Sequence, residues 1–496
     1  MRPLSVGLRI SLASAVLLSL GLCNGCQGLK NGSGTSATNG GSLQTSVNHI
    51  IFLVQENRSL DHYFGALRQY WASNGYPDQP FNGLPQFPTG SLPSNPGCDP
   101  AFAFPPNDCH IDPSSQPVAS FHLQTECIEN PSPSWNESHI DFNLSSPTSG
   151  TASLDGFVFA AAHDARNIQP PMSDVNGVRA MGYYDGTDLN YYYFMASNFG
   201  TSDAWFSPVL SRSPANHMFL LGGTSQGHVY PLGDNQTISA PPIFQNLQQA
   251  GVTWKIYVHP DGSGCTTPSC LMGLSYTRLF AYGQTILSQF SQNVVPQTQF
   301  ISDAKNGTLP QVAFLETPSN VGLDEHPSDF DSNPPCCSIQ AGASYVESLV
   351  NAVMQGPSWK DSIFILTFDE GGGFYDHVAP ASAVSPDGIK PVDLQPGDVC
   401  MQGSGPNCDF TFTGYRVPLI VISPFAKKNY VSHTTADYTA ILKLIETRFG
   451  LQSLTARDGA QMDMTEFFDF SNPPWMTPPS PPAQNTGGAC YLDHLP

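Results

Sequence analysis

Charge is scarce in this 496-residue sequence, and positive charge is scarcest. Charged residues make up 12%, and 19 Lys and Arg face 40 Asp and Glu, for a net charge of −21. No basic stripe exists to displace counterions from phosphates, which argues against nucleic acid as a partner. The carboxylate excess instead leaves oxygen ligands for hard cations. Long apolar runs are missing too. The longest, "ISLASAVLLSLGLC", is too short and too rich in small residues for a comfortable spanning helix. No internal repeat stands out. No C-x-x-C pair is matched by a second one, which argues against a zinc cluster.

What is present is enough apolar side chain for a packed core: 40% hydrophobic residues, with 11% aromatics. The length suits two or three ordinary domains or one large α/β domain with insertions. Arg2 and Arg9 flank the start of the apolar N-terminal run, so residues 1–26 read as an export signal. Gly25-Cys26 resembles the end of a bacterial lipobox, and the product is expected to be exported: a lipoprotein anchored through lipidated Cys26, or a periplasmic or secreted soluble protein. Residues 27–47, rich in Gly, Ser, Thr and Asn, read as a flexible tether. Beyond Cys23 and Cys26 ten cysteines remain, an even count that favours disulfides in an exported chain. Cys98/Cys109, Cys265/Cys270 and Cys400/Cys408 are close pairs in Pro- and Gly-rich loops; Cys127, Cys336, Cys337 and Cys490 complete the set, and connectivity stays open.

"HIIFLV", "VTWKIYV", "QVAFLE", "SIFILTF" and "YRVPLIVISPF" are short apolar runs bounded by turn formers, as buried strands are. "YTAILKLIETRFG" carries Ile441, Leu442, Leu444, Ile445 and Phe449 at helical spacing and ends in Gly450, a C-cap residue. The stretch 71–150 reads as loop and the Pro-rich segment 471–496 as a tail, which leaves 48–470 as the main domain. Strands separated by helical segments predict an α/β fold: a doubly wound, mostly parallel sheet with helices on both faces and loop-rich insertions. Ligands of such sheets sit beyond the carboxyl ends of the strands.

Three polar clusters follow apolar runs. Glu56-Asn57 ends "HIIFLV", and Asp369-Glu370 ends "SIFILTF" and leads into three glycines. Adjacent carboxylates cannot both be buried without a cation or a proton, so the two pairs together suit one divalent metal. An all-oxygen set favours Ca²⁺, Mg²⁺ or Mn²⁺, with Zn²⁺ as the other choice. The third cluster is "SRSPANH", where Ser213 lies on a turn ahead of an apolar run. A Ser-Pro turn read alone is far more often a helix cap than a nucleophile, but a hydroxyl beside a metal has a lowered pKa. His122, His139, His326 and His377 sit at polar turns, where imidazoles can bind phosphoryl oxygens or protonate a leaving group. Glu325 and Asp376 stand next to His326 and His377 and are expected to orient or charge those rings.

"ENRSLDHYFG", "EHPS", "TFDEGGGFYDHVAP" and "RVPLIVISPFAKKNYVSHT", in this order, resemble the blocks of the bacterial phosphoesterase family that contains phosphatidylcholine-type phospholipases C and a related acid phosphatase. The resemblance spans roughly residues 48–470. It implies an alkaline-phosphatase-like fold with a metal-assisted hydroxyl nucleophile. It makes Glu56, Asn57, Ser213, Asp369 and Glu370 the metal site and Ser213 the nucleophile. His326 and His122 fall where family members use imidazoles around the phosphate. His377 is a further catalytic candidate that could instead brace the glycine turn, and Asn57, Asn216 and His139 are the expected substrate contacts. The family's block around the nucleophile resembles Gly-Pro-Thr-x-Pro-Asn-Arg; here Asn216 is retained, and Ala215 and His217 replace Pro and Arg.

The expectation is a phosphoric ester hydrolase with one divalent metal. Phospholipase C-type cleavage of phospholipids leads, an acid phosphatase acting on small phosphomonoesters is the alternative, and an inactive binding protein on the same scaffold is a third reading. No protein partner is called for.

Overall fold

The structure is a computed structural model that describes residues 41–112, 115–260, 264–328, 338–401, 405 and 407–495. The export signal, Cys23, Cys26, Cys336 and Cys337 lie outside the described residues.

The centre of the molecule is the run that begins "HIIFLV". His49–Gln55 forms β1, and Ile50, Ile51, Phe52, Leu53 and Val54 are each 0% exposed. Successive residues of a strand point to opposite faces, so a strand buried at every position is covered on both. The other strands of the main sheet are β2 (Gly200–Ser202), β3 (Trp254–Val258), β4 (Val294–Pro296), β5 (Val312–Leu315), β6 (Ser362–Phe368), β7 (Leu419–Ile422) and β8 (Tyr430–Ser432). The eight strands stand in the order β8-β2-β7-β6-β1-β5-β3-β4. β1 runs parallel to both neighbours, β5 and β6, and β3 and β4 continue parallel beyond β5. Only β7 is reversed, pairing antiparallel with β6 and β2. The expected mostly parallel α/β sheet is what the chain forms.

Six helices matter for the site or its frame: α1 (Leu60–Phe64), α2 (Trp135–Phe142), α3 (Asn190–Asn198), α4 (Ser213–Gly222), α5 (Ile339–Met354) and α6 (Ala440–Phe449). The predicted C-cap of α6 is real: Gly450 takes the left-handed conformation at φ 67°. The stretch 71–150 is less irregular than its Pro and Asn content predicts. It contains α2, whose Trp135, His139 and Phe142 are buried.

The chain ends are packed more firmly than a tether and a tail. Leu43 and Val47 are buried, and Asn48 bonds to Asp361, so the expected tether is already fixed at its last residues. Their apolar side chains are the reason. The Pro-rich tail is tied to the domain by Cys127–Cys490, whose partners are 363 residues apart. Connectivity, open in the sequence, is local for the close pairs: Cys98–Cys109, Cys265–Cys270 and Cys400–Cys408 form as staples.

Candidate active site

Strand register assembles the first half of the site. β1 and β6 pair in parallel from His49 opposite Ser362 to Gln55 opposite Phe368. Carried one and then two residues further, the same register sets Glu56 beside Asp369 and Asn57 beside Glu370 at the carboxyl ends of two adjacent central strands. The turns there are tight. Asn57 has φ 60°, and its N–H donates to Asp369 Oδ1 at 2.8 Å. The Glu370 N–H donates to the same oxygen at 2.8 Å. Gly372 adopts φ +68°, and a Cβ there would meet the Asn57 carbonyl oxygen at 2.3 Å, so only glycine lets the two turns pass.

α4 supplies the other half. Arg212 is the N-cap and Ser213 is the first helical residue, followed by Pro214. The Ser213 side chain does not cap the helix. Its hydroxyl lies 2.8 Å from Glu56 Oε2, 3.2 Å from Glu370 Oε1 and 3.4 Å from Asn57 Oδ1. One turn further along the helix, His217 Nε2 is 3.4 Å from Glu56 Oε1 and 3.9 Å from Asp369 Oδ2.

These acids are buried: Glu56 2%, Asp369 0% and Glu370 2% exposed. Burial, and then the adjacent Glu56, push the Asp369 carboxyl up to about 8. Burial followed by Asp369 pushes Glu370 well above the carboxylate range, and burial pushes Glu56 up. Three carboxyls held together this way need protons or a cation. One further observation fits a cation: Asp369 Oδ2 and both nitrogens of His217 are buried with no hydrogen-bond partner. The Asn57 amide can be set two ways. Its nitrogen can donate to Asp369 at 3.3 Å and Glu370 at 3.1 Å, with its oxygen accepting from His326 at 3.0 Å. Turned over, its oxygen accepts from the Ser213 hydroxyl at 3.4 Å and is free to join the carboxylates around a metal. The residues therefore fit a divalent metal held by Glu56, Asn57, Ser213, Asp369 and Glu370.

The cluster opens into a cavity of about 360 Å³ lined by Glu56, Asn57, Ser213, Glu370, His326 and Tyr276, among others. His326 stands at its edge, with Nδ1 2.5 Å from the Pro327 carbonyl oxygen and Nε2 3.0 Å from the Asn57 amide. Glu325 does not orient that ring, contrary to expectation. Its carboxylate turns to the hydroxyls of Tyr63 and Tyr192 and to Gln55, and burial lifts it to about 7. Its carbonyl oxygen accepts from Arg58, which fixes the 324–326 loop to the "ENRSLDHYFG" segment.

Other predicted site residues lie elsewhere. His139 is fully buried in α2, its ring nitrogens 2.6 Å from the Trp135 and 2.9 Å from the Asn407 carbonyl oxygens, so it has no atom left for a substrate. His122 pairs with Asp188 at 2.7 Å and is not among the residues lining the cavity. His377 bonds to Asp61 at 2.6 Å and to Asn82 at 3.0 Å, while its neighbour Asp376 pairs with the buried Arg416. That knot braces the glycine turn from behind. Asn216 is 0% exposed and its amide is spent on Ser211 O, Val209 O and Glu370 Oε2. It secures the start of α4 to the acids and is not among the residues lining the cavity.

Sequence reasoning passed over His217, Tyr276 and the cavity-lining Arg212. For His217 a signal existed: it is four residues after Ser213, and positions i and i+4 share a helix face. For Tyr276 there was none, because its position comes from the loop after β3.

The mostly parallel sheet carries a buried serine, four acid or amide groups and an imidazole at its carboxyl edge, a set that suits a phosphoric ester hydrolase. Residues 47–452 match the Phosphoesterase family, and the chain belongs to it. It is 30% identical over 463 residues to phospholipase C A of Mycobacterium tuberculosis, covering 88% of this chain and 80% of that protein. It is 28% identical to the non-hemolytic phospholipase C of Burkholderia pseudomallei, over 88% of this chain and 61% of the relative. Non-specific phospholipase C5 of Arabidopsis thaliana is 29% identical over 85% of this chain and 74% of its own length. A solved protein of the alkaline phosphatase superfamily from Vibrio parahaemolyticus overlaps at a TM-score of 0.33 and 11% identity, over 80% of this chain and 78% of that one.

Proposed function

We propose that this enzyme is a metal-dependent phospholipase C that cleaves phospholipids through Ser213. The observation that carries the reading is the Ser213 hydroxyl, buried at a helix start and 2.8 Å from Glu56 inside a ring of acids that a cation would hold ionised. A divalent cation held by Glu56, Asn57, Asp369 and Glu370 would lower the pKa of the Ser213 hydroxyl and offset charge on the phosphoryl oxygens.

Ser213 Oγ passes its proton to Glu56 Oε2, to which it already donates, and attacks phosphorus in line with the leaving alcohol. The new O–P bond forms as the bond to the diacylglycerol oxygen breaks, and His326 Nε2 delivers a proton to that oxygen. Water then gives a proton back to His326 Nε2 and attacks the phosphoserine; the head-group phosphate is freed as the O–P bond to Ser213 breaks, and the serine oxygen takes its proton back from Glu56. Arg212 lines the cavity, which favours an anionic substrate. Most of the acceleration comes from this positioning and charge compensation.

Relatives named phospholipase C support the diester reading. Four disulfides support an exported protein, and no helix among the described residues is long and apolar enough to cross a membrane. The test compares hydrolysis of phosphatidylcholine with that of p-nitrophenyl phosphate, with and without EDTA. Faster, EDTA-sensitive release of diacylglycerol is expected. A reversed preference assigns the chain to the phosphomonoesterases, and absence of hydrolysis on both leaves a binding protein.

A further inference from the structure

His217 is the buried group that the hydrolysis scheme leaves without work. Its ring is 0% exposed and lies flat against Tyr276, with centroids 3.8 Å apart and planes 11° apart. Tyr276 is itself held in place: its N–H donates to Glu316 at 3.1 Å, and the neighbouring Ser275 hydroxyl donates to the same carboxylate. The imidazole is thus fixed by stacking and not by hydrogen bonds, since neither ring nitrogen has a partner among the described residues. Orphaned nitrogens in so dry a place are costly unless something else satisfies them.

The Nε2 atom faces two acids, 3.4 Å from Glu56 Oε1 and 3.9 Å from Asp369 Oδ2. Good N–H···O bonds cluster at about 2.9–3.0 Å, so both separations are too long. Donors that share one cation stand about 3.0–3.4 Å apart at ideal angles, given bonds of about 2.1 Å. The three residues' ligand atoms all lie within 4.8 Å of one another, and Asp369 Oδ2 is the other unpartnered atom of the group.

We infer that His217 is a direct nitrogen ligand of the cation bound by Glu56 and Asp369, which makes this a mixed nitrogen and oxygen site suited to a borderline metal such as Zn²⁺ over Ca²⁺ or Mg²⁺. The inference rests on the metal-site reading above and adds a ligand and a metal class to it. It also explains an imidazole placed one turn after the nucleophile: α4 delivers the serine and the nitrogen to opposite oxygens of one carboxylate.

The experiment uses full-length mature protein stripped with chelator and titrated with Zn²⁺ or Ca²⁺ by calorimetry. His217→Gln is expected to weaken Zn²⁺ binding at least tenfold and to leave Ca²⁺ binding within threefold. In parallel, wild-type protein labelled with ¹⁵N-histidine and loaded with Mn²⁺ is examined by pulsed electron paramagnetic resonance, which requires no substitution to fold. A ¹⁵N coupling that survives in His326→Gln is expected. No ¹⁵N coupling, or unchanged Zn²⁺ affinity in His217→Gln, overturns the inference; Glu56→Gln still losing its metal in that case keeps the metal site itself. If the wild-type protein binds neither ion, the metal-site reading falls and the inference falls with it.

Discussion

Ser213 Oγ lies 2.8 Å from Glu56 Oε2, although 157 residues separate the two in the chain. The contact joins the start of α4 to the end of β1, and it is the point at which a surface-type motif becomes a buried reactive centre. Its first consequence concerns turnover. Ser213→Ala should lower kcat on phosphatidylcholine by on the order of 10³-fold or more, as loss of a nucleophile does, while the melting temperature changes by about 2 °C or less. Unchanged turnover would remove Ser213 from the mechanism.

Metal removal should act on the same cluster. EDTA is expected to abolish hydrolysis, and readdition of a divalent ion to restore it. Asp369→Asn should bring the bound metal, measured by elemental analysis of the purified protein, from about one equivalent to under about 0.2, since it deletes a buried ligand charge. Full occupancy in Asp369→Asn would contradict the assigned ligand set.

Gly372→Ala tests the passage of the two turns. The added Cβ would meet the Asn57 carbonyl oxygen at 2.3 Å, at a residue with φ +68°. The left-handed conformation alone costs about 1–2 kcal/mol for an alanine, and the clash adds to it. A melting temperature lower by about 2–6 °C and a kcat reduced at least tenfold are expected. Wild-type values in both would show that the turn has room to relax.

In α6, Glu446 offers a pH test. Burial, and then Asp458 beside it, push its carboxyl up to about 8. An ordinary unfolded carboxyl titrates near 4.3, so the folded state holds its proton longer than the unfolded state does. The stability this group contributes is complete below the unfolded value and is lost as pH rises towards about 8. Glu446→Gln should therefore flatten the fall of melting temperature between about pH 5 and pH 8, by about 1–2 °C per pH unit. Parallel wild-type and variant curves would refute it.

The Cys127–Cys490 bridge closes a loop of 363 residues. Cys127→Ser with Cys490→Ser should lower stability by about 2–5 kcal/mol, because a long closed loop most restricts the unfolded chain. Denaturant unfolding of both proteins measures the difference.

Local pattern made much of this legible. "HIIFLV" and "SIFILTF" are buried strands because every position is apolar or small, and their ends mark where polar groups collect. Glu56, Asn57, Asp369, Glu370 and Ser213 were found that way, and the structure brings them together. The histidines were less legible. His122, His139, His326 and His377 all sit at polar turns, and only His326 lines the cavity, because a turn's composition does not say which way it faces. Glu325 and Asp376 mislead for the same reason: neighbours in sequence, they diverge to Tyr63 and to Arg416.

The sequence by itself determined the strands, the acid pairs at their ends and the family block that carries the serine, since each depends on residues within a few positions of one another. Tertiary structure alone decided that β1 and β6 are neighbours in a register that sets Glu56 beside Asp369. It alone decided that His217, and not His139 or His377, is the imidazole aimed at those acids. Those outcomes depend on contacts across more than a hundred residues, which side-chain pattern does not encode locally.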